Sequence, residues 1–257
     1  MAKSVNVKEL DNQSKEILYQ LDHVTKVFEG TNKVVALDDV SLSIRKGEIY
    51  GIIGMSGAGK STTIKAVVGV LDFSEGEIFI DGHSVKTEPM ACKEITAYIP
   101  DNPDLYEYLT GIQYLNFIAD VFKVSKSDRE ERIRKYAEMF EITSALGDMI
   151  SSYSHGMKQK VAIISALIHN PRLIVLDEPF VGLDPKAALT LKNIMKEMCA
   201  KGSAIFFSTH VLEVAQKLCN KIAIIKSGKI VASGNTEELT GDKSLEEVFM
   251  EVVEHAE

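Results

Sequence analysis

The sequence predicts an α/β fold: a mostly parallel sheet, a small antiparallel β subdomain beside it, and a helical subdomain inserted into it. Three observations carry that expectation. A short apolar run, Ile49–Ile53, leads into a glycine-rich turn and then into an apolar helix start. Further on, apolar runs of four or five residues alternate with helical stretches, the pattern of a parallel sheet covered on both faces. Between these regions, residues 105–153 change texture to apolar stripes of helical period.

Taken in order, residues 1–16 are polar, lack the apolar region of a secretory signal, and are expected to form a loosely ordered arm. Ile17–Val27 and Val40–Ile44 alternate as strands, and Glu77–Ile80 with the Asp81-Gly82 turn adds another, giving the antiparallel sheet. Ile112, Leu115, Ile118 and Phe122 recur at helical spacing. Ser127–Glu130 reads as a capping box ahead of a second stripe, Ile133, Tyr136, Ala137 and Phe140. Helix packing accounts for both stripes. The inserted helical subdomain is placed at about residues 92–155 of a single domain spanning 17–257. The core resumes with the strand Leu173–Leu176, a helix over about 186–200, the strand Ala204–Phe207 and a helix over Val211–Cys219. Lys221–Ile225 and Lys229–Ala232 form a hairpin about Ser227-Gly228, and a short acidic helix covers about 244–254.

Composition narrows the class. The chain has 257 residues, 45% hydrophobic and 26% charged, which is ordinary for a globular domain with a full core. No apolar stretch approaches the ~20 residues needed to cross a bilayer. A net charge of −8 argues against general attraction to nucleic acid or anionic lipid. Cys92, Cys199 and Cys219 lack metal-ligand spacing and read as buried thiols in a reducing compartment.

The chemistry starts at Gly54-Met55-Ser56-Gly57-Ala58-Gly59-Lys60-Ser61, which fits G-x-x-x-x-G-K-[ST], the phosphate loop of a P-loop NTPase core. A glycine-rich turn presents backbone N–H groups to a polyphosphate without intervening side chains; Lys60 reaches the β/γ-phosphates and the Ser61 hydroxyl takes a magnesium site. Thr62–Val68 then reads as a helix whose positive end faces the phosphates. A nucleoside triphosphate site is the implication. Asp177 and Glu178 close the strand Leu173–Leu176. Alone, two acids after a strand read as a solvated loop. Beside a phosphate loop, the first reads as a magnesium holder opposite Ser61 and the second as the group that aligns or deprotonates a water. Tyr153-Ser154-His155-Gly156-Met157 precedes a helix with Val161, Ile164, Leu167 and Ile168 on its apolar side, and Ser154 with Gly156 makes a second anion-binding helix start.

In order and spacing these stretches resemble the nucleotide-binding subunit of ABC transporters, from about residue 17 to 253. Gly54–Ser61 resembles Walker A and Leu173–Asp177 Walker B, and Glu178 falls where that family has its catalytic glutamate. Residues 153–157 stand in the place of the signature, Gly182-Leu183-Asp184 resembles the D-loop, and His210 matches the switch histidine. The resemblance therefore implies Lys60, Glu178 and His210 as catalytic residues. It implies ATP contacts from Gly54, Met55, Ser56, Gly57, Ala58, Gly59, Lys60, Ser61 and Thr62, and from Ser154, Gly156 and Asp184. Phe28 has two readings, an adenine-stacking aromatic or a strand core residue. The remaining histidines, His23, His83, His155, His169 and His255, show no ligand spacing. Two departures stand out. Tyr153 and His155 replace a leucine and a glycine of the signature, and Asp101 occupies the position of the Q-loop glutamine. Asp101 reads either as a third magnesium ligand with Ser61 and Asp177 or as a solvated loop acid.

By resemblance the chain is an ATP-binding and ATP-hydrolysing subunit, with ATP and Mg2+, which powers a membrane transporter through head-to-tail closure of two nucleotide-binding domains, as a homodimer or related heterodimer. The implied partner is a separate transmembrane permease at the cytoplasmic face of the membrane, with no nucleic acid. Leu105–Thr110 and Leu245–Phe249 are similar to bacterial ABC-2-like exporters. The alternative is a non-transport ATPase of the same type acting as a nucleotide switch on a soluble partner; residues 62–153 leave no room for the long coiled coils of its repair and chromosome members.

Overall fold

Alternation within single strands organises the molecule, a computed structural model that describes residues 17–30 and 32–255. The expected arm over residues 1–16 lies outside them. β3 (Ile49–Ile53), β6 (Thr96–Ile99), β7 (Leu173–Asp177), β8 (Ala204–Thr209), β9 (Lys221–Lys226) and β10 (Lys229–Asn235) form one sheet ordered β10-β9-β3-β8-β7-β6. Its neighbours are parallel except the β9–β10 hairpin. Ile49, Ile174, Ile205 and Ile222 pack on one face, while their neighbours Tyr50, Val175, Phe206 and Ala223 pack on the other. Period-two side chains buried on both sides are why these strands read as unbroken apolar runs.

On the first face lie α3 (Gly111–Val121), α4 (Lys126–Met139), α5 (His155–Leu167), α6 (Pro185–Ala200), α7 (Leu212–Leu218) and α9 (Leu245–His255). They bury Leu115, Ile133, Ile163, Leu191, Ala215 and Leu245 in one cluster. The second face is covered by α1 (Lys60–Val67) and an antiparallel sheet. That sheet runs β2-β1-β4-β5, from β1 (Ile17–Phe28), β2 (Val34–Arg45), β4 (Glu75–Ile80) and β5 (His83–Ser84). The rings of Tyr19 in β1 and Phe206 in β8, 5.8 Å apart, join the two sheets. Phe206 is fully buried, so truncating it to alanine would cost about 3–5 kcal/mol. The short helices α2 (Pro89–Glu94) and α8 (Thr236–Thr240) complete the described elements.

Several local expectations are corrected. The helical insertion starts later than residue 92, because β6 is an edge strand of the parallel sheet paired with β7, and α3 begins only at Gly111. The cap of α4 is Ser125, whose hydroxyl accepts the Asp128 N–H at 3.2 Å, so Ser127 sits inside the helix. The capping box belongs instead to α3, between Thr110 and Gln113. Ile112 is exposed at the start of α3, and Leu115 with Ala119 carries its buried stripe. β2 begins six residues before Val40, at Val34. The three cysteines are buried and unpaired, as expected.

Candidate functional site

The phosphate loop hangs between β3 and α1, and local sterics dictate its composition. A Cβ at Gly54 would stand 2.5 Å from the Ile225 carbonyl oxygen. Gly59, the residue ahead of α1, has φ 114°, a conformation open to glycine alone. Gly54, Met55 and Ala58 shape the turn: the Ala58 side chain is buried, its N–H donates to the Met55 carbonyl at 3.1 Å, and its carbonyl accepts the Gly228 N–H at 2.8 Å. Lys60 Nζ donates to the carbonyls of Gly54 (2.8 Å) and Met55 (3.2 Å), so one donor of its ammonium remains for an anion at the loop. Thr63, which the sequence did not single out, is fully buried and ties its hydroxyl to the Gly59 carbonyl at 2.9 Å, bracing the loop from behind.

The loop opens on a polar cavity of about 460 Å³, lined by Ser56, Gly57, Gly59, Lys60, Ser61, Thr62, Asp101, Glu178, Val181 and His210. Four chain segments distant in sequence thus bring Lys60, Ser61, Asp101, Glu178 and His210 to one place. Asp177 sits behind them, 4% exposed, and its Oδ1 accepts the Ser208 hydroxyl at 2.5 Å. The same Ser208 oxygen accepts the Glu178 N–H at 3.1 Å. Glu178 has φ 47°, a left-handed backbone that costs a non-glycine residue about 1–2 kcal/mol. Its carboxylate accepts the His210 N–H at 3.3 Å and pairs with His210 Nδ1 at 3.0 Å. Ser208 is a supporting residue that sequence reading passed over; its signal was a hydroxyl closing the apolar run Ala204–Phe207.

Asp101 lies on the cavity wall just beyond β6. Its position is felt by Tyr98, whose phenol is pushed up to about 12 by burial, with the Asp177 and Asp101 carboxylates adding to the effect. No cluster of three His, Cys, Asp or Glu side chains forms a protein-only metal cage among the described residues. The donor set fits magnesium nonetheless, because that ion takes one or two carboxylates and completes its shell from phosphates and water. Ser61 and Asp101 on the cavity wall, with the buried Asp177, would supply hard oxygens.

Other expected site residues stand elsewhere on the chain. Ser154 caps α5, accepting the Met157 N–H at 3.3 Å, with Gly156 in the same first turn. Asp184 caps α6, accepting the Ala187 N–H at 2.8 Å, and pairs with Lys160 at 2.9 Å. The Lys160 ammonium beside it holds the Asp184 carboxyl below its ordinary range. Phe28 ends β1 with 42% of its surface exposed, and Lys26 Nζ lies 5.0 Å from its ring centre. That exposure removes the core reading of Phe28. None of these four residues lines the phosphate cavity.

A second cavity, an apolar groove of about 880 Å³, runs between the sheet domain and the helical insertion. Val67 and Val68 at the end of α1, Tyr98 of β6, Tyr114, Ile118, Val121 and Phe122 around α3, and His169 line it. His169 stacks on Phe122 with centroids 3.7 Å apart, and its nitrogens have no hydrogen-bond partner. Burial lowers its imidazole to about 4.

Comparison with known proteins gives the fold and the family. The sequence profile of the family described as ABC transporter matches residues 37–181, and one of an AAA domain matches residues 149–214. An uncharacterized ABC transporter ATP-binding protein, all4389 of Nostoc sp., is 36% identical over 82% of this chain. The chain spans 63% of that relative's length. The ABC-type transporter ATP-binding protein EcsA of Bacillus subtilis is 34% identical, with 87% of this chain and 92% of that protein covered. Among solved structures, an ATP-binding subunit of an ABC transporter superposes with a TM-score of 0.87 at 34% identity, covering 91% of this chain and 99% of that one. The dimeric cassette MJ0796, in a post-hydrolysis state bound to ADP and Pi, superposes with a TM-score of 0.78 at 26% identity, covering 85% and 98%. The chain is a P-loop NTPase cassette and belongs to the family of ABC transporter ATP-binding proteins.

Proposed function

We propose that this chain hydrolyses ATP with Mg2+ in the phosphate-loop cavity and drives a separate transmembrane permease, an exporter of the ABC-2-like type, from the cytoplasmic face of the membrane. The observation that carries the reading is the convergence of Lys60, Ser61, Asp101, Glu178 and His210 on one cavity. In this reading the Lys60 ammonium holds the β/γ-phosphates and offsets the charge that develops during transfer. Ser61, Asp177 and Asp101 hold magnesium, which neutralises phosphate charge when bound. Glu178, fixed by Ser208 and His210, takes the proton of the attacking water, and His210 steadies the γ-phosphate.

Ser154, Gly156 and Asp184 lie away from the cavity of their own chain, which fits a head-to-tail dimer in which each chain completes its partner's site. A homodimer and a heterodimer with a related cassette both satisfy that arrangement. Phe28, exposed at the end of β1, is left for stacking on adenine. The apolar groove offers a permease a docking surface, since Val121 (57% exposed) and Met90 (67% exposed) sit on an uncovered apolar face. No helix among the described residues is long and apolar enough to cross a membrane, so in this reading the spanning segments belong to another chain.

Glu178→Gln tests the chemistry. Removing the base while keeping the shape should slow phosphate release by about a hundredfold or more and leave ATP affinity near wild type. Size-exclusion chromatography with ATP and Mg2+ should then show a dimer. Wild-type turnover by this variant would end the assignment of Glu178. Affinity purification from detergent-solubilised membranes tests the coupling: a multi-span protein should come down with the chain, and a soluble protein in its place would favour the switch alternative.

A further inference from the structure

The signature position that the family resemblance expects to be glycine holds His155, and the structure gives its ring a seat. His155 opens α5, and one edge of the imidazole rests on Gly182, in the turn that leads from Glu178 to Asp184. A Cβ placed on Gly182 would stand 2.7 Å from His155 Nε2 and closer still to Cδ2. Gly182 also has φ 79°, in the left-handed region, so its lack of a side chain is required twice. Two further contacts tie the same turn to α5. A Cβ on Gly156 would meet the Gly182 carbonyl oxygen at 3.0 Å, and Lys160 pairs with Asp184 at 2.9 Å. At its other end the turn is anchored to the site, for the Val181 N–H donates to the Glu178 carbonyl at 3.1 Å and Val181 lines the phosphate cavity.

We propose that His155 is a positioning residue: by seating its ring on Gly182 it holds the 178–184 turn against α5 and so sets the carboxylate of Glu178 in the chain's own site. This rests on the ATPase reading of that site. Pro179 is buried and Phe180 packs edge-on against Phe207, but Val181, Gly182 and Asp184 are exposed, so a planar ring packed on Gly182 removes freedom from the half of the turn that the core does not hold. The imidazole acts by shape. Lys160 and Asp184, on the two elements that the ring joins, are engaged with each other, and Lys158 is paired with Glu107. Bulk at 155 and the bare backbone at 182 are therefore complementary features of this sequence.

A double-mutant cycle on the full chain tests the contact without relying on turnover. Gly182→Ala should lower the Tm of the wild type by at least about 2 °C more than it lowers that of His155→Gly, because only the wild type has a ring in the way. Steady-state kinetics tests the consequence. His155→Gly should reduce kcat about fivefold with the KM for ATP unchanged, since one displaced turn shifts a local equilibrium by a factor of that order. His155→Phe, which restores a planar ring without nitrogens, should recover most of the loss. Additive Tm shifts overturn the proposal, as does an unchanged kcat in His155→Gly or a loss in His155→Phe as large as in His155→Gly. A change in KM instead of kcat also overturns it, since that marks direct nucleotide contact. A wild-type chain without ATP turnover defeats the ATPase reading and is distinguished by the thermal cycle, which still decides the contact.

Discussion

The phosphate-loop cavity is about half the size of the groove beside the helical insertion, 460 against 880 Å³, yet it gathers most of the chemistry. Its walls bring an ammonium, hydroxyls, two carboxylates and an imidazole together on glycine-rich backbone. The groove is walled by valine, isoleucine and aromatic side chains, and its imidazole is stacked and neutral. The smaller site is built to act on a charged small molecule. The larger leaves an apolar surface uncovered. Volume alone would have picked the wrong one for catalysis; what separates them is how many polar groups converge and whether their partners hold them in place.

The contrast breaks first at Lys60. Lys60→Ala removes the charge-assisted donor of the loop and should weaken ATP binding on the order of a hundredfold. Near-normal affinity by calorimetry would show that the polar cavity is not the nucleotide site. Next comes acid. His169 titrates near 4 when folded and near 6.5 when unfolded, so between those values the unfolded chain binds the extra proton. Stability from this group is therefore intact above pH 6.5 and declines as pH falls towards 4, by about 3 kcal/mol in all. His169→Gln should flatten that part of the Tm-versus-pH curve relative to wild type; parallel curves would mean the ring is not held neutral in the groove.

Smaller effects sharpen the division. Val121→Glu puts a charge on the apolar wall and should reduce recovery of a membrane partner about tenfold, with ATP turnover of the isolated chain within about twofold of wild type. Loss of turnover in that variant would mean the two cavities are not separable. Asp101→Asn, the mildest change, should raise the magnesium concentration for half-maximal turnover about threefold, leaving nucleotide binding without magnesium unchanged. Superimposable magnesium titrations would make Asp101 a solvated loop acid.

The polar cavity was largely legible in the sequence, and the groove was not. Gly54–Ser61 declares itself because eight consecutive residues must satisfy one backbone shape. Asp177 and Glu178 become readable once a phosphate loop is known. Ser208 escaped notice because its role is to brace Asp177 and Glu178 from a neighbouring strand, which no local pattern encodes. The groove is assembled from α1, α2, β6, α3 and the end of α5 with the segment after it, so their joint surface leaves no signature. Boundaries failed for similar causes. β2 was cut short because Asp38-Asp39 interrupts the alternation, at a bulge where Asp39 has φ 57°. α2 has six residues, too few to show a period. Ser125 and Ser127 are equivalent caps on paper, and only the backbone direction at 125 chooses between them.

Tyr98 and Asp101 lie three residues apart at the end of β6, with Pro100 between them; the first lines the groove and the second the phosphate cavity. Pro100 fixes φ at one residue of this short link, which narrows the ways its two ends can move independently. Linkage then runs in both directions with equal strength. Whatever factor a segment seated in the groove applies to ATP affinity, ATP must apply to the hold on that segment. A tightly coupled pair of chains would for that reason show its nucleotide dependence equally well in a binding assay that contains no membrane transport at all.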